Sequence, residues 1–121
     1  KKIHNNWSRR VLILGVTFKE NCSDVRNSKT LDLIKSLREF NLEVDVIDPL
    51  VDQKDIGDLY NANFSGSLLK PSDYSAIVLS VPHEKFTSYT SSELKKLSSS
   101  QSVVFFDLKG IYKKNESDFR L

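Results

Sequence analysis

"RRVLILGVTFKENCSDVRNSKTLDLIKSLREFN", residues 9–41, decides the fold. Its first part, residues 9–18, is a short continuous apolar run that Gly15 ends. Runs of this kind belong to strands covered on both faces of a parallel sheet. From Ser28 to Phe40 the period changes. Leu33, Ile34, Leu37 and Phe40 recur at i, i+1, i+4 and i+7, which predicts one apolar face of a helix over 28–40. Asn27 and Ser28 both suit the N-cap. Asn41 suits the left-handed cap position at the other end, with Leu42 behind it making the apolar contact.

The rest of the chain repeats this alternation. "EVDVIDP" (43–49) reads as a second strand, stopped at Asp48–Pro49. Residues 50–72 are irregular, with a short helix or turn in "DQKDIGDLY" and breaks at Gly57 and Gly66. "YSAIVLSVP" (74–82) reads as a third strand, and "HEKF" and "SSELKKL" as helical pieces after it. "SVVFFDLKG" (102–110) is a fourth strand ending at Asp107. The tail "IYKKNESDFRL" is polar and is expected to fray, apart from Ile111 and Tyr112.

Strands alternating with helices imply an α/β fold: a small Rossmann-like three-layer domain with a mostly parallel sheet of four to six strands. Ligands of such sheets sit at the carboxyl ends of the strands. The charged connection after the first strand leaves that edge. Asp48, His83 and Asp107–Lys109 leave it after the other three.

The chain has 121 residues, enough for one compact domain. Of these, 39% are hydrophobic and 28% charged, a globular composition with no apolar run near the roughly 20 residues of a membrane span. The net charge of +2 gives no basic stripe of the kind nucleic-acid binders carry. One cysteine excludes an internal disulfide and a multi-cysteine zinc site, so a reducing, cytoplasmic compartment is expected. There is no methionine, and a polar start runs abruptly into a strand. A piece of a longer protein is the expectation, with residues 1–9 as linker, 10–113 as the domain and 114–121 as tail.

A dinucleotide site of the usual kind needs G-x-G-x-x-G after the first strand, so that the backbone can approach the pyrophosphate. Here that place reads Gly15-Val16-Thr17-Phe18-Lys19-Glu20, with only the first glycine. Cys22 as a nucleophile would need a base, and His83 is the one serious candidate; a loop cysteine without chemistry is the favoured reading. Lys19 and Arg26 flank a loop that opens onto a helix N-terminus, which suits a phosphate or diphosphate. They equally suit a solvated surface, paired with Glu20 and Asp24. Lys109 adds a third cation on the same edge. For His83 a cap or loop role is favoured over a ligand role. For Asp48 a turn or cap role is favoured over a ribose acceptor.

These residues resemble a known family. "GVTFKENCSDVRNSKTLDLIKSL" (15–37) is similar to the opening of the C-terminal, UDP-binding domain of the UDP-glucose/GDP-mannose dehydrogenase family. "VIDP", "VLSVPHEKF" and "VVFFDLKGIY" follow in the family's order, so the resemblance spans about residues 10–113. "FKENCSDVRNSK" and "VPHEKF" look most like the branch that oxidises UDP-N-acetylhexosamines for capsule and O-antigen sugars. The resemblance implies a full-length, homodimeric enzyme. An N-terminal domain holds NAD, and C6 of the UDP-sugar is oxidised twice, from alcohol to acid.

The resemblance implies binding roles here and no catalytic residue. Phe18 and Lys19 match the pair that packs on and reaches the UDP-sugar. Arg26 matches the arginine that reaches the NAD pyrophosphate. Lys109 stands where members carry a basic residue near the uridine diphosphate. Cys22 does not align with the family's nucleophile. The alternative is a stand-alone Rossmann-like binding or interaction module.

Overall fold

The computed structural model describes residues 8–67 and 70–120. Residues 1–7 of the expected linker therefore lie outside the described residues. Among the described residues six strands form one sheet: β1 (Arg10–Leu14), β2 (Glu43–Ile47), β3 (Asn63–Ser65), β4 (Ala76–Leu79), β5 (Val104–Asp107) and β6 (Phe119–Arg120). Their order is β3-β2-β1-β4-β5-β6, and every neighbouring pair is parallel. Three α-helices among the described residues accompany them: α1 (Lys29–Glu39), α2 (Glu84–Thr87) and α3 (Ser91–Lys95).

The continuous apolar runs have a direct cause. Successive strand residues point to opposite faces, and both faces of the central strands are covered. Val11 and Ile13 of β1, with Val44, Val46 and Val78, pack under Ile34 of α1 and under Val51 and Leu59. Leu12 and Leu14, with Ile47, Ile77, Leu79 and Phe105, pack under Phe86 of α2 and Leu94 of α3. The two crossover groups lie on opposite faces because the chain winds outward from β1 in one direction and from β4 in the other. Right-handed connections running in opposite directions must use opposite faces. The order therefore reverses between β1 and β4, and the switch point of the sheet lies there.

Helix α1 begins and ends as its sequence dictates. Ser28 is the N-cap, and its hydroxyl accepts from the Thr30 N–H. Asn27 precedes it in a left-handed conformation. At the far end Asn41 has φ +62°. Its N–H donates to Arg38 O at 2.9 Å and that of Leu42 to Leu37 O at 3.2 Å. This pair of bonds is the Schellman arrangement, and Leu42 packs into the α1 core with Leu37.

Two elements exceed the four strands legible in the sequence. β3 holds three residues with one apolar side chain, Phe64, and lies at the sheet edge beside β2. No period can be read from so short a run. The tail is the clearer correction: residues 114–120 do not fray. Lys114–Glu116 form a 3-10 turn and Phe119–Arg120 pair with β5. Asp118 exchanges bonds with Phe105, its N–H donating to Phe105 O and its carboxylate accepting from Phe105 N–H. Phe119 stacks on Phe106 with ring centroids 4.9 Å apart. Polarity concealed this, because the pairing rests on a backbone exchange and one aromatic.

The amino edge of the sheet is closed by a polar cluster around Asp45. Tyr74 OH donates to Asp45 Oδ2 at 2.6 Å, Asn63 Nδ2 to Oδ1 at 3.0 Å, and Arg10 Nη2 to Oδ2 at 3.1 Å. Burial pushes the Asp45 carboxyl up, but these three bonds outweigh it and hold the group below the usual carboxylate range. Its contribution to stability is therefore complete above the ordinary aspartate range and is lost as pH falls through the depressed value. Tyr74→Phe should cost about 1.5–3 kcal/mol and raise the Asp45 pKa, which denaturation and carboxyl NMR titration would measure. An unchanged acid limb of the stability profile would contradict the assignment.

Candidate functional site

Because every strand is parallel, the carboxyl ends of β1, β2, β4 and β5 share one edge, and the residues singled out in the sequence stand there. The β1–α1 connection turns back on itself. Gly15 has φ +92° and Asn21 φ +56°, and the Phe18 N–H donates to Asp24 O at 2.6 Å. Phe18 is 56% exposed, and Lys19 and Glu20 are exposed beside it. Arg26 points outward, 85% of its side chain exposed. Its Nε and Nη2 hold both Asp24 oxygens at 3.0 Å. The hydrogen bonds from Arg26 keep the Asp24 carboxyl below its usual range. An exposed pair of this kind adds little to stability. Of the two pairings considered for a solvated surface, Asp24 with Arg26 is formed.

Lys109 is exposed after β5. β4 lies between β1 and β5, so the roots of the Lys19 and Lys109 loops stand roughly 10 Å apart. One ligand can touch both cations only by crossing the end of β4. Neither lysine forms an ion pair among the described residues.

Beneath this exposed rim lies a buried polar layer. Asp48 and His83 are 0% exposed and Thr17 is 1% exposed. Asp48 Oδ2 accepts from the Val16 N–H at 2.8 Å and lies 3.0 Å from His83 Nε2. Asp48 Oδ1 accepts from the Leu50 N–H at 2.9 Å. His83 Nδ1 accepts from the Asn21 N–H at 2.9 Å. Thr17 Oγ1 donates to Lys19 O at 2.8 Å. Asp107, also 0% exposed, does the corresponding work under Lys109 by accepting from the Ile111 and Tyr112 N–H groups. Each lysine-bearing loop is thus pinned from below by a buried carboxylate.

The favoured turn role of Asp48 holds. His83 occupies the N-cap position of α2 by its backbone, but its side chain makes no cap bond and turns inward. Cys22 is half-buried, and its sulfur accepts from the Asp24 N–H at 3.4 Å. Both ring nitrogens of His83 are committed elsewhere, so it is no base for that thiol. Joint burial of Thr17, Asp48 and His83 went unread in the sequence. The available signal was that D-P and V-P-H both close apolar strands at one edge.

The residues at the switch point do not fit a dinucleotide bound in the Rossmann manner. In that mode the backbone N–H groups after β1 face a pyrophosphate. Here the Val16 N–H faces the Asp48 carboxylate and the Asn21 N–H faces His83. The protein's own anion fills the position. A cleft of about 170 Å³ opens nearby, between Ile47 and Pro49 after β2, Gly66 and Ser67 after β3, and Lys85, Phe86 and Tyr89 around α2. None of Phe18, Lys19, Arg26 and Lys109 lines it. These four stand on an open rim that needs a second wall to enclose a ligand.

Among the described residues no helix is long and apolar enough to cross a membrane. Comparison with known proteins agrees with the fold. The chain is 38% identical over 123 aligned positions to the UDP-N-acetyl-D-glucosamine 6-dehydrogenase of Pseudomonas aeruginosa, and 37% identical over 121 to that of Salmonella typhi. Both alignments cover 100% of this chain and 28% of the relative. The chain thus spans little more than a quarter of these curated relatives. In structure it is similar to the UDP-N-acetyl-mannosamine dehydrogenase Cap5O of S. aureus. The TM-score is 0.66 at 22% identity, covering 98% of this chain and 27% of the other. The UDP-glucose dehydrogenase of Pyrobaculum islandicum aligns with TM-score 0.61 at 22% identity, over 94% of this chain and 25% of that one. The sequence pattern of one family's UDP binding domain matches residues 12–114. The chain belongs to the UDP-glucose/GDP-mannose dehydrogenase family, as its UDP binding domain.

Proposed function

We propose that the carboxyl edge binds the nucleotide diphosphate of a UDP-sugar, as one wall of an NAD-dependent UDP-N-acetylhexosamine 6-dehydrogenase. Phe18 packs on the ligand, and Lys19 and Lys109 meet its diphosphate. Arg26 faces the pyrophosphate of an NAD held by another domain of the full-length, homodimeric, cytoplasmic enzyme, exchanging Asp24 for it. Such an enzyme would supply acidic sugars for capsule or O-antigen. Residues 10–113 are the binding unit. These residues bind and orient; the oxidation of C6 belongs to residues of the full-length enzyme beyond those named here.

One observation carries the reading. Phe18 and Lys19 are exposed on a turn whose backbone is tied down by buried groups. Exposure alone is ordinary, but here an aromatic and a cation share a turn held in one conformation at the carboxyl ends of parallel strands, where ligands of such sheets bind. The family membership supports UDP as that ligand. An open rim encloses little of a ligand, so affinity for this chain alone should be weak.

Calorimetric titration with UDP tests it. Lys19→Ala should weaken UDP binding by about tenfold, the loss of one charge-assisted bond. Binding of uridine should be unchanged, because uridine has no diphosphate. Equal UDP affinity in wild type and Lys19→Ala would remove Lys19 from the site.

A further inference from the structure

We propose that His83 is a positioning residue for the nucleotide-diphosphate site. Through Nδ1 it sets the turn that presents Phe18 and Lys19. The inference rests on the binding reading above.

The hydrogen-bond geometry selects one state of the ring. A backbone N–H only donates, so Nδ1, 2.9 Å from the Asn21 nitrogen, is an unprotonated acceptor. The ring hydrogen is then on Nε2, which faces Asp48 Oδ2 at 3.0 Å and Thr17 Oγ1 at 3.3 Å. Asp48 accepts it. The Thr17 hydroxyl spends its own hydrogen on Lys19 O. A neutral imidazole carrying hydrogen on Nε2 satisfies every partner.

That ring closes a clamp around the turn. The Val16 N–H is held by Asp48 at the start, Lys19 O by Thr17 in the middle, and the Asn21 N–H by His83 at the end. Asn21 returns the bond, its Oδ1 accepting from the N–H of Glu84, the residue after His83. The two ring nitrogens therefore have separable duties. Nε2 ties the residue to the core through Asp48, and Nδ1 ties the ligand-bearing turn to the residue. A turn held in one conformation binds more tightly because less freedom is lost on binding.

Two substitutions divide these duties. His83→Asn places an amide oxygen close to the position of Nδ1 and takes from Asp48 one of its three donors, the ring N–H. His83→Gln reaches Asp48 with an amide nitrogen and leaves the Asn21 N–H without its acceptor. Denaturation midpoint, UDP affinity and Asn21 amide exchange are to be measured for both. His83→Asn should lower the midpoint yet keep UDP affinity within about twofold of wild type. His83→Gln should weaken UDP binding about two- to tenfold, the range of one neutral hydrogen bond, and speed exchange at Asn21. Affinity that falls equally in both variants, or in neither, overturns the proposal.

The wild-type imidazole nitrogen spectrum at neutral pH needs no variant, and so decides the matter if both fail to fold. It should show hydrogen on Nε2 alone. A doubly protonated ring, or hydrogen on Nδ1, overturns the clamp. If wild type binds no UDP at all, the binding reading fails. The spectrum and the Asn21 exchange rate then still report on whether His83 holds the turn.

Discussion

Replacing Gly15 with alanine should destabilise the domain by roughly 3 kcal/mol or more, the sum of a left-handed backbone and an overpacked contact. Gly15 has φ +92°, and a Cβ there would stand 2.6 Å from both Val81 Cβ and Val81 O and 2.9 Å from Val81 N. Two of those atoms are backbone, which cannot rotate away. Nor can the strands separate. The Val81 and Ser80 N–H groups both donate to Leu14 O, and the Gly15 N–H donates to Ile47 O at 2.8 Å. Gly15 thus marks a close approach between the segments that leave β1 and β4, at the switch point of the sheet. Gly57 supplies the control. Its φ is +66°, and nothing lies within 4 Å of an added Cβ. Gly57→Ala should cost only the conformational strain, about 1 kcal/mol. Urea denaturation of both variants checks the pair, and similar losses in the two would contradict the close-approach argument.

Asp48→Ala should be comparably severe, about 3 kcal/mol or more. The carboxylate answers three donors in a site closed to water: Val16 N–H, Leu50 N–H and His83 Nε2. Removing it leaves all three facing a small apolar void. A single buried donor left unmet costs about 1–3 kcal/mol, and the void adds lost contacts. Relaxation of the turn would return part of the loss by letting the Val16 N–H find water, and would loosen Lys19 as it did so. The expected signature is therefore a lower denaturation midpoint together with faster amide exchange at Val16 and Asn21. A loss below 1 kcal/mol would mean that the buried layer does not hold the turn.

The parallel sheet is legible in the sequence because strands buried on both faces cannot alternate. Val11, Leu12, Ile13 and Leu14 must all be apolar when odd and even positions both meet a helix. The cap at Asn41 is legible because few residues tolerate a left-handed backbone. β3 and β6 are not legible. Each is an edge strand whose pairing rests on backbone bonds and one aromatic, Phe64 or Phe119. At the site, the shared edge follows from topology alone, and so the company kept by Lys19, Lys109, Asp48 and His83 can be expected. Which of them face solvent and which face each other cannot. Asp48 and Lys19 are both charged residues after a strand, yet one is 0% exposed and the other stands in water. The difference arises from the Gly15 turn, which aims the Val16 N–H at a residue 32 positions away. Long-range satisfaction of that kind leaves no local period.

On the proposed function, the rim formed by the loops after β1 and β5, and not the cleft after β2 and β3 beside α2, receives the nucleotide diphosphate. An amide-resolved NMR titration with UDP tests it most directly. Signals of residues 17–21 and 108–111 should move together along one saturation curve, while those around Asp45 and Tyr74 at the opposite edge stay in place. Movement confined to Gly66, Ser67 and Lys85–Tyr89, or saturation that leaves Phe18 and Lys19 unmoved, would contradict the account.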